Sequence, residues 1–204
     1  MFAIVESGSI TSMPKGNKGV QIGDVKHPAS IFTVWTEAQR NAIGVYTVEI
    51  DETNLKDKEW YNNTNITYAF SGGKVTGSYG TATAKSHADI LYTEQNKTDN
   101  EIPTGKDVGD VKQEGLKTIK KRFINDQCAQ TLAPSDWMYI KAGEEGGTMD
   151  SGWKTWRASV RTKCNEMQAA IDSAADTAAI QTLFTYTTKD GVTSRPLGEF
   201  PVKE

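Results

Sequence analysis

The chain has 204 residues, 37% of them apolar, with a formal net charge of -3, a pI near 5.5 and a mean hydropathy of -0.54. That length builds one domain or two small ones, and the acidic balance gives no positive field to hold a phosphate backbone, so nucleic acid is not an expected partner. No stretch approaches the ~20 apolar residues of a membrane span, and Met1-Phe-Ala-Ile-Val5 runs straight into Glu6 without a basic start, so neither a membrane nor a secretory route is expected and synthesis is assigned to the cytoplasm.

From Phe2 to about Lys85, β-branched and aromatic residues alternate with turn-formers at short intervals, which is a strand pattern. Phe2–Glu6 and Ser9–Met13 flank Ser7-Gly8 and predict a hairpin, with Gly8 able to take the positive φ of a tight turn. Lys15–Asp24 holds three glycines and reads as loop or bulged strand. After Pro28 and the run Ile31–Trp35, Thr36 is a good N-cap and Gly44 a left-handed C-cap, so a short helix feeds the strand Val45–Ile50. Asn65–Phe70, the turn Ser71-Gly72-Gly73 and Lys74–Lys85 predict a second hairpin. Its Thr- and Gly-rich second strand has little to bury and reads as an edge strand or exposed ribbon.

Residues 86–111 are polar, carry Pro103, Gly105 and Gly109, and read as a linker or long surface loop. From Lys112 the period becomes helical, with Leu116, Ile119, Phe123, Cys128 and Leu132 on one broad face that ends before Pro134. A second helix capped near Asp150 or Ser151 carries Trp153, Trp156, Val160, Cys164, Met167 and Ile171 at a spacing close to 3.6, not the 3.5 of a supercoiled shaft. Asp176 opens a short helix through Phe184. The sequence therefore predicts an α+β fold: a β-rich domain over 1–85, a linker over 86–111, a helical module over 112–184 and an extended tail over 185–204.

Signals for chemistry are few. Cys128 and Cys164 lie far apart without Cys-x-x-Cys spacing and read as small apolar members of helix faces. His27 and His87 stand alone in loop-like sequence, without a nucleophile motif or ligand spacing, so no catalytic residue, cofactor or metal is expected. The glycines from Gly72 to Gly80 lack the Gly-Lys-Ser/Thr step of a phosphate loop. Trp137, Trp153 and Trp156 are expected to fill the interface between the two C-terminal helices, with an exposed docking patch as the alternative. Arg157 and Arg161, at i and i+4, are expected to pair with Asp136 or Glu145, or else to reach a partner protein.

The run Leu132, Ser135-Asp136-Trp137, Ile140-Lys141, Glu144 or Glu145, Trp153, Trp156-Arg157 and Arg161 resembles the C-terminal module of small bacteriophage tail proteins, among them tail-fibre assembly and fibre-associated proteins. Ile31–Val45 is similar to a strand, short helix and Gly-Val/Ile step near the start of such proteins. Lys141 stands where an Arg is usual, and Gly198-Glu-Phe-Pro201 matches only loosely the Trp-Pro ending of many assembly proteins.

What this resemblance implies is a non-enzymatic structural component of a phage tail, near the baseplate or fibre attachment and resident in the virion. Its expected partners are other tail, baseplate or fibre proteins, with homo-oligomerisation in the particle. The alternative is a tail-fibre assembly chaperone that does not stay in the virion. A glycan-binding or glycan-cleaving module is a third reading, for which Asp136 and Glu145 beside Trp137 are the only carboxylate pair on offer.

Overall fold

The computed structural model describes residues 1–203 and divides the chain into two units, Met1–Thr83 and Ala84 onward. The first is β-rich and the second mainly helical, so the fold is α+β.

In the first unit, β1 (Phe2–Glu6) and β2 (Ser9–Ser12) form the predicted hairpin, turning on Ser7 and Gly8 with φ of 50° and 79°. Two successive left-handed residues match the right-handed twist of the strands they join. The glycine-rich stretch that follows forms a small antiparallel pair, β3 (Val20–Ile22) with β4 (Val25–His27). Ile31–Trp35, matched above to a strand, instead begins in a 3-10 turn over Ala29–Phe32. The adjacent Ile31 and Phe32 are buried in the same core, which a strand, whose successive side chains point to opposite faces, does not allow.

Helix α1 (Glu37–Ala42) has the full capping box: the Gln39 amide donates to Thr36 Oγ1, and Gln39 Oε1 accepts from the Thr36 amide. Gly44, at φ 79°, turns the chain into β5 (Val45–Asp51). Beyond β6 (Tyr61–Asn62) come β7 (Ile66–Ser71), β8 (Lys74–Tyr79) and β9 (Thr83–Ala84).

The sheet order is β2-β1-β5-β8-β7, antiparallel throughout except for the parallel β5–β8 pair. So β8, expected at an edge, is paired on both sides, and its Val75 is fully buried. The alternation of strand side chains separates two cores. Ile4 and Val45 pack with Ile31 and Phe32 on one face, while Ala3, Val48 and Val75 pack with Ile10 and Phe70 on the other.

The second unit starts with what reads as a linker. Residues 86–111 contain β10 (Ile90–Leu91) and α2 (Glu94–Thr98), and β10 pairs antiparallel with β11 (Val111–Gln113). This stretch also completes α3 (Leu116–Leu132), whose N-cap is Gly115 and therefore has no side chain to offer. The Ser86 and His87 carbonyls supply the cap, accepting from the Leu116 and Lys117 amides at 2.9 and 3.0 Å. The Asp89 carboxylate braces it by accepting from the Gly115 amide at 2.6 Å and from Thr118 Oγ1 at 2.9 Å. Those bonds hold the Asp89 carboxyl below its usual range. A Cβ on Gly115 would sit 2.3 Å from the Ala88 carbonyl carbon, so the close approach that brings Asp89 in requires glycine.

On α3 the buried positions are Leu116, Lys120, Ile124 and Cys128, four apart, whereas Ile119 and Phe123 of the predicted face are 43% and 44% exposed. Counting apolar letters misses Lys120. Its aliphatic stem fills the stripe and its ammonium lies 5.8 Å from the Phe123 ring and 5.0 Å from the Phe184 ring. A 3-10 turn at Ala133–Ser135 then leads into α4 (Asp136–Glu144).

Asp150 caps α5 (Ser151–Ser173) by accepting from the Gly152 and Trp153 amides. Asp176 caps α6 (Thr177–Phe184) in the same way through the Ala179 amide. The core joins Ile124 and Cys128 of α3 to Val160, Cys164, Met167 and Ile171 of α5, with Leu197 closing it. Each large side chain there contributes about 1.5–3 kcal/mol by leaving water. Both cysteines are free thiols, and burial, aided by Cys164, pushes the Cys128 thiol up to about 11.

The expected extended tail holds a further hairpin, β12 (Thr187–Lys189) with β13 (Val192–Ser194). A strap follows, in which the Leu197 amide donates to the Leu183 carbonyl at 3.1 Å. No helix of the described residues is long and apolar enough to cross a membrane.

Candidate docking surface

The segment between α3 and α5 is shaped by a turn and a clamp. Pro134 suits the first turn of a 3-10 helix because its missing amide hydrogen would have no partner there. Ser135, 1% exposed, donates from Oγ to the Leu132 carbonyl at 2.7 Å. Arg157 reaches across from α5: Nη1 donates to the Leu132 carbonyl at 2.9 Å and to Ser135 Oγ at 2.5 Å, and Nη2 donates to Asp136 Oδ1 at 2.7 Å.

The Arg157 side chain is 13% exposed and that of Asp136 is 56% exposed. Water screens the ion pair, so the buried bonds to Leu132 and Ser135 carry most of the clamp's stability. Of the two acids weighed as partners for Arg157, Asp136 takes the position, while Glu145 pairs with Lys141 at 3.6 Å.

Held at its start, α4 buries none of its residues. Trp137, Tyr139 and Ile140 are 56%, 66% and 62% exposed. Trp137 therefore does not fill the interface between the helices. Clefts flank the helix, one of about 460 Å³ between Tyr139, Ile140, Met149, Lys154 and Arg161, and one of about 300 Å³ between Trp137, Met138, Met149 and Trp153. Met149, 5% exposed, lines both.

Trp153 and Trp156 are half-buried and meet edge to face at 5.5 Å between centroids. Trp156 packs against the α3–α5 core and its Nε1 donates to the Pro201 carbonyl of the strap at 2.9 Å, while Trp153 lines the smaller cleft with Lys203 Nζ 5.3 Å over its ring. The structure thus brings Asp136 and Arg157 together and sets Arg161 on the wall of the larger cleft. It leaves Trp137 in solvent, sets Trp153 on the smaller cleft, and packs Trp156 against the helical core as expected.

Asp136 and Glu145, the two carboxylates weighed for a sugar site, each make an ion pair, with Arg157 and Lys141. Among the described residues no group of three or more His, Cys, Asp or Glu side chains could hold a metal. In the first unit His27 lies edge-on to Trp35 at 6.0 Å.

Sequence reasoning passed over Tyr139, Ile140, Met149 and Lys154 as site residues. The signal for them was the short apolar run of α4 with no second apolar run facing it. No known protein family matches this chain, and no curated protein or solved structure is similar to it at a meaningful level.

Proposed function

We propose that this chain is a non-enzymatic bacteriophage tail protein, a structural component near the baseplate or fibre attachment, and that it works by docking α4 onto another tail protein. The observation that carries the docking reading is a clamped helix with no buried residue and three large apolar side chains in solvent beside two clefts. An apolar face of this kind is usually covered by a partner, since aromatic anchors at the centre of an interface contribute most of its affinity. The phage setting is supported by the likeness of Ser135-Asp136-Trp137, Trp156-Arg157 and Arg161 to the module of small tail proteins.

A second reading is a tail-fibre assembly chaperone. The apolar residues Trp137, Tyr139 and Ile140, open in the isolated chain, favour it, because a chaperone presents such residues to its client and then leaves. Mass spectrometry with immunogold labelling of purified particles separates the two. A fixed copy number in the tail supports the structural component. Recovery only from infected-cell lysate, bound to a fibre protein, supports the chaperone. Absence from both settings, or unchanged incorporation of an Ile140→Asp variant, overturns the docking reading.

A further inference from the structure

The first fifteen residues of α5, Ser151–Asn165, contain Lys154, Arg157, Arg161 and Lys163 and no acid. Two of these cations are committed, Arg157 to the clamp on Ser135 and Asp136, and Lys163 to Glu166 at 3.8 Å. Lys154 and Arg161 make no side-chain hydrogen bond or ion pair with the described residues. Both line the larger cleft, whose acid, Asp136, is already neutralised by Arg157. The cleft therefore combines an apolar floor with uncompensated positive charge, on a chain that is acidic as a whole.

The spacing adds to this. Lys154 and Arg161 are seven residues apart on one helix, which puts them on the same face about 10 Å from each other along the axis. Carboxylates two helical turns apart on a partner helix have the same separation. An apolar side chain between them would then fall on Tyr139, Ile140 and Met149.

We infer that the cleft between α4 and α5 docks an acidic amphipathic segment of a partner protein, its apolar side on Tyr139, Ile140 and Met149 and its carboxylates on Lys154 and Arg161. This inference rests on the reading of α4 as a docking face and specifies the chemistry of what docks there.

The test uses the full chain and a pair of labelled synthetic peptides of about fifteen residues, long enough to take up a helix on a surface. Both carry the same leucine stripe, flanked by glutamates in one and by lysines in the other. Anisotropy titrations at low ionic strength are expected to show the glutamate peptide binding roughly tenfold tighter or better, with added salt narrowing the gap.

The double variant Lys154→Glu, Arg161→Glu reverses the preference, and Ile140→Asp weakens both peptides. Circular dichroism on each variant confirms that the fold is retained. Equal affinity for the two peptides, or no binding of the glutamate peptide, overturns the inference and leaves the docking reading to the particle experiment. Binding that Ile140→Asp leaves untouched overturns the use of this face altogether. An oligodeoxythymidine that competes as well as the glutamate peptide would assign the cleft to nucleic acid instead.

Discussion

Helices α4 and α5 are both rich in apolar residues, α4 in the run Trp137–Ile140 and α5 at helical spacing, yet α5 buries Val160, Cys164, Met167 and Ile171 while α4 buries nothing. The difference lies in what faces them. α5 lies along α3, whose Ile124 and Cys128 complete its stripe. α4 has nine residues, too few to persist on propensity alone, and is fixed from one end by the Arg157 clamp. An apolar stripe on a helix therefore states a demand for a partner. Whether the chain itself meets that demand is a tertiary matter.

The sharpest way to break the contrast is to remove a buried side chain from α5. Ile171→Ala leaves a cavity in a fully buried site and is expected to cost about 2–5 kcal/mol, read as a lower urea midpoint for the helical unit. Arg157→Ala comes next, because it leaves the Leu132 carbonyl and Ser135 hydroxyl short of a partner; a loss of about 1–3 kcal/mol is expected. Arg157→Lys restores only part of it, since a single ammonium cannot fork across both. Hydrogen exchange should show the loss first in α4.

The buried thiol of Cys128 makes a smaller, pH-dependent contribution. Its ionisation lies near 11 when folded against 9.0 as the ordinary value. The folded state thus keeps a proton that the unfolded chain gives up, and the stability this represents is complete below pH 9 and lost as pH rises towards 11. Urea midpoints across that range are expected to fall more for the native chain than for Cys128→Ala.

The smallest effect on stability belongs to α4's own exposed residues. Tyr139→Ala and Ile140→Ser are expected to move unfolding by no more than about 0.5 kcal/mol while removing peptide binding. A large loss of stability in either variant would mean that α4 is a core element after all.

Where structure depends on neighbours in sequence, the sequence was legible: the Ser7-Gly8 turn, the Thr36 N-cap and the start at Asp176 form as read, and of the two residues weighed for the α5 cap Asp150 takes the place. The α5 stripe was legible because it is written in apolar letters over about five turns. Two other features were hidden because distant residues decide them. β8 is central because β5 lies parallel beside it, a pairing that no local pattern encodes. Residues 86–111 are folded because Asp89 reaches Gly115 and Thr118, 26 and 29 positions further along the sequence. In the candidate site, charge narrowed the acids that could pair with Arg157 to Asp136 or Glu145, and the fold decides for Asp136. The exposure of Trp137 was not legible, since a tryptophan looks the same in sequence whether it is buried or waiting for a partner.

The strap that carries Leu197 into the helical core also sets an order of events on the ribosome. The first unit has all its strands once Thr83 has emerged, whereas the helical core lacks Leu197, and Trp156 lacks the Pro201 carbonyl, until the end of the strap appears. At the usual rate of synthesis the interval between those points is roughly 6–24 s. During it the nascent chain carries a finished sheet followed by helices with an unsealed apolar seam. Such a seam is open to whatever binds apolar surface on newly made chains, and it closes only when the strap arrives.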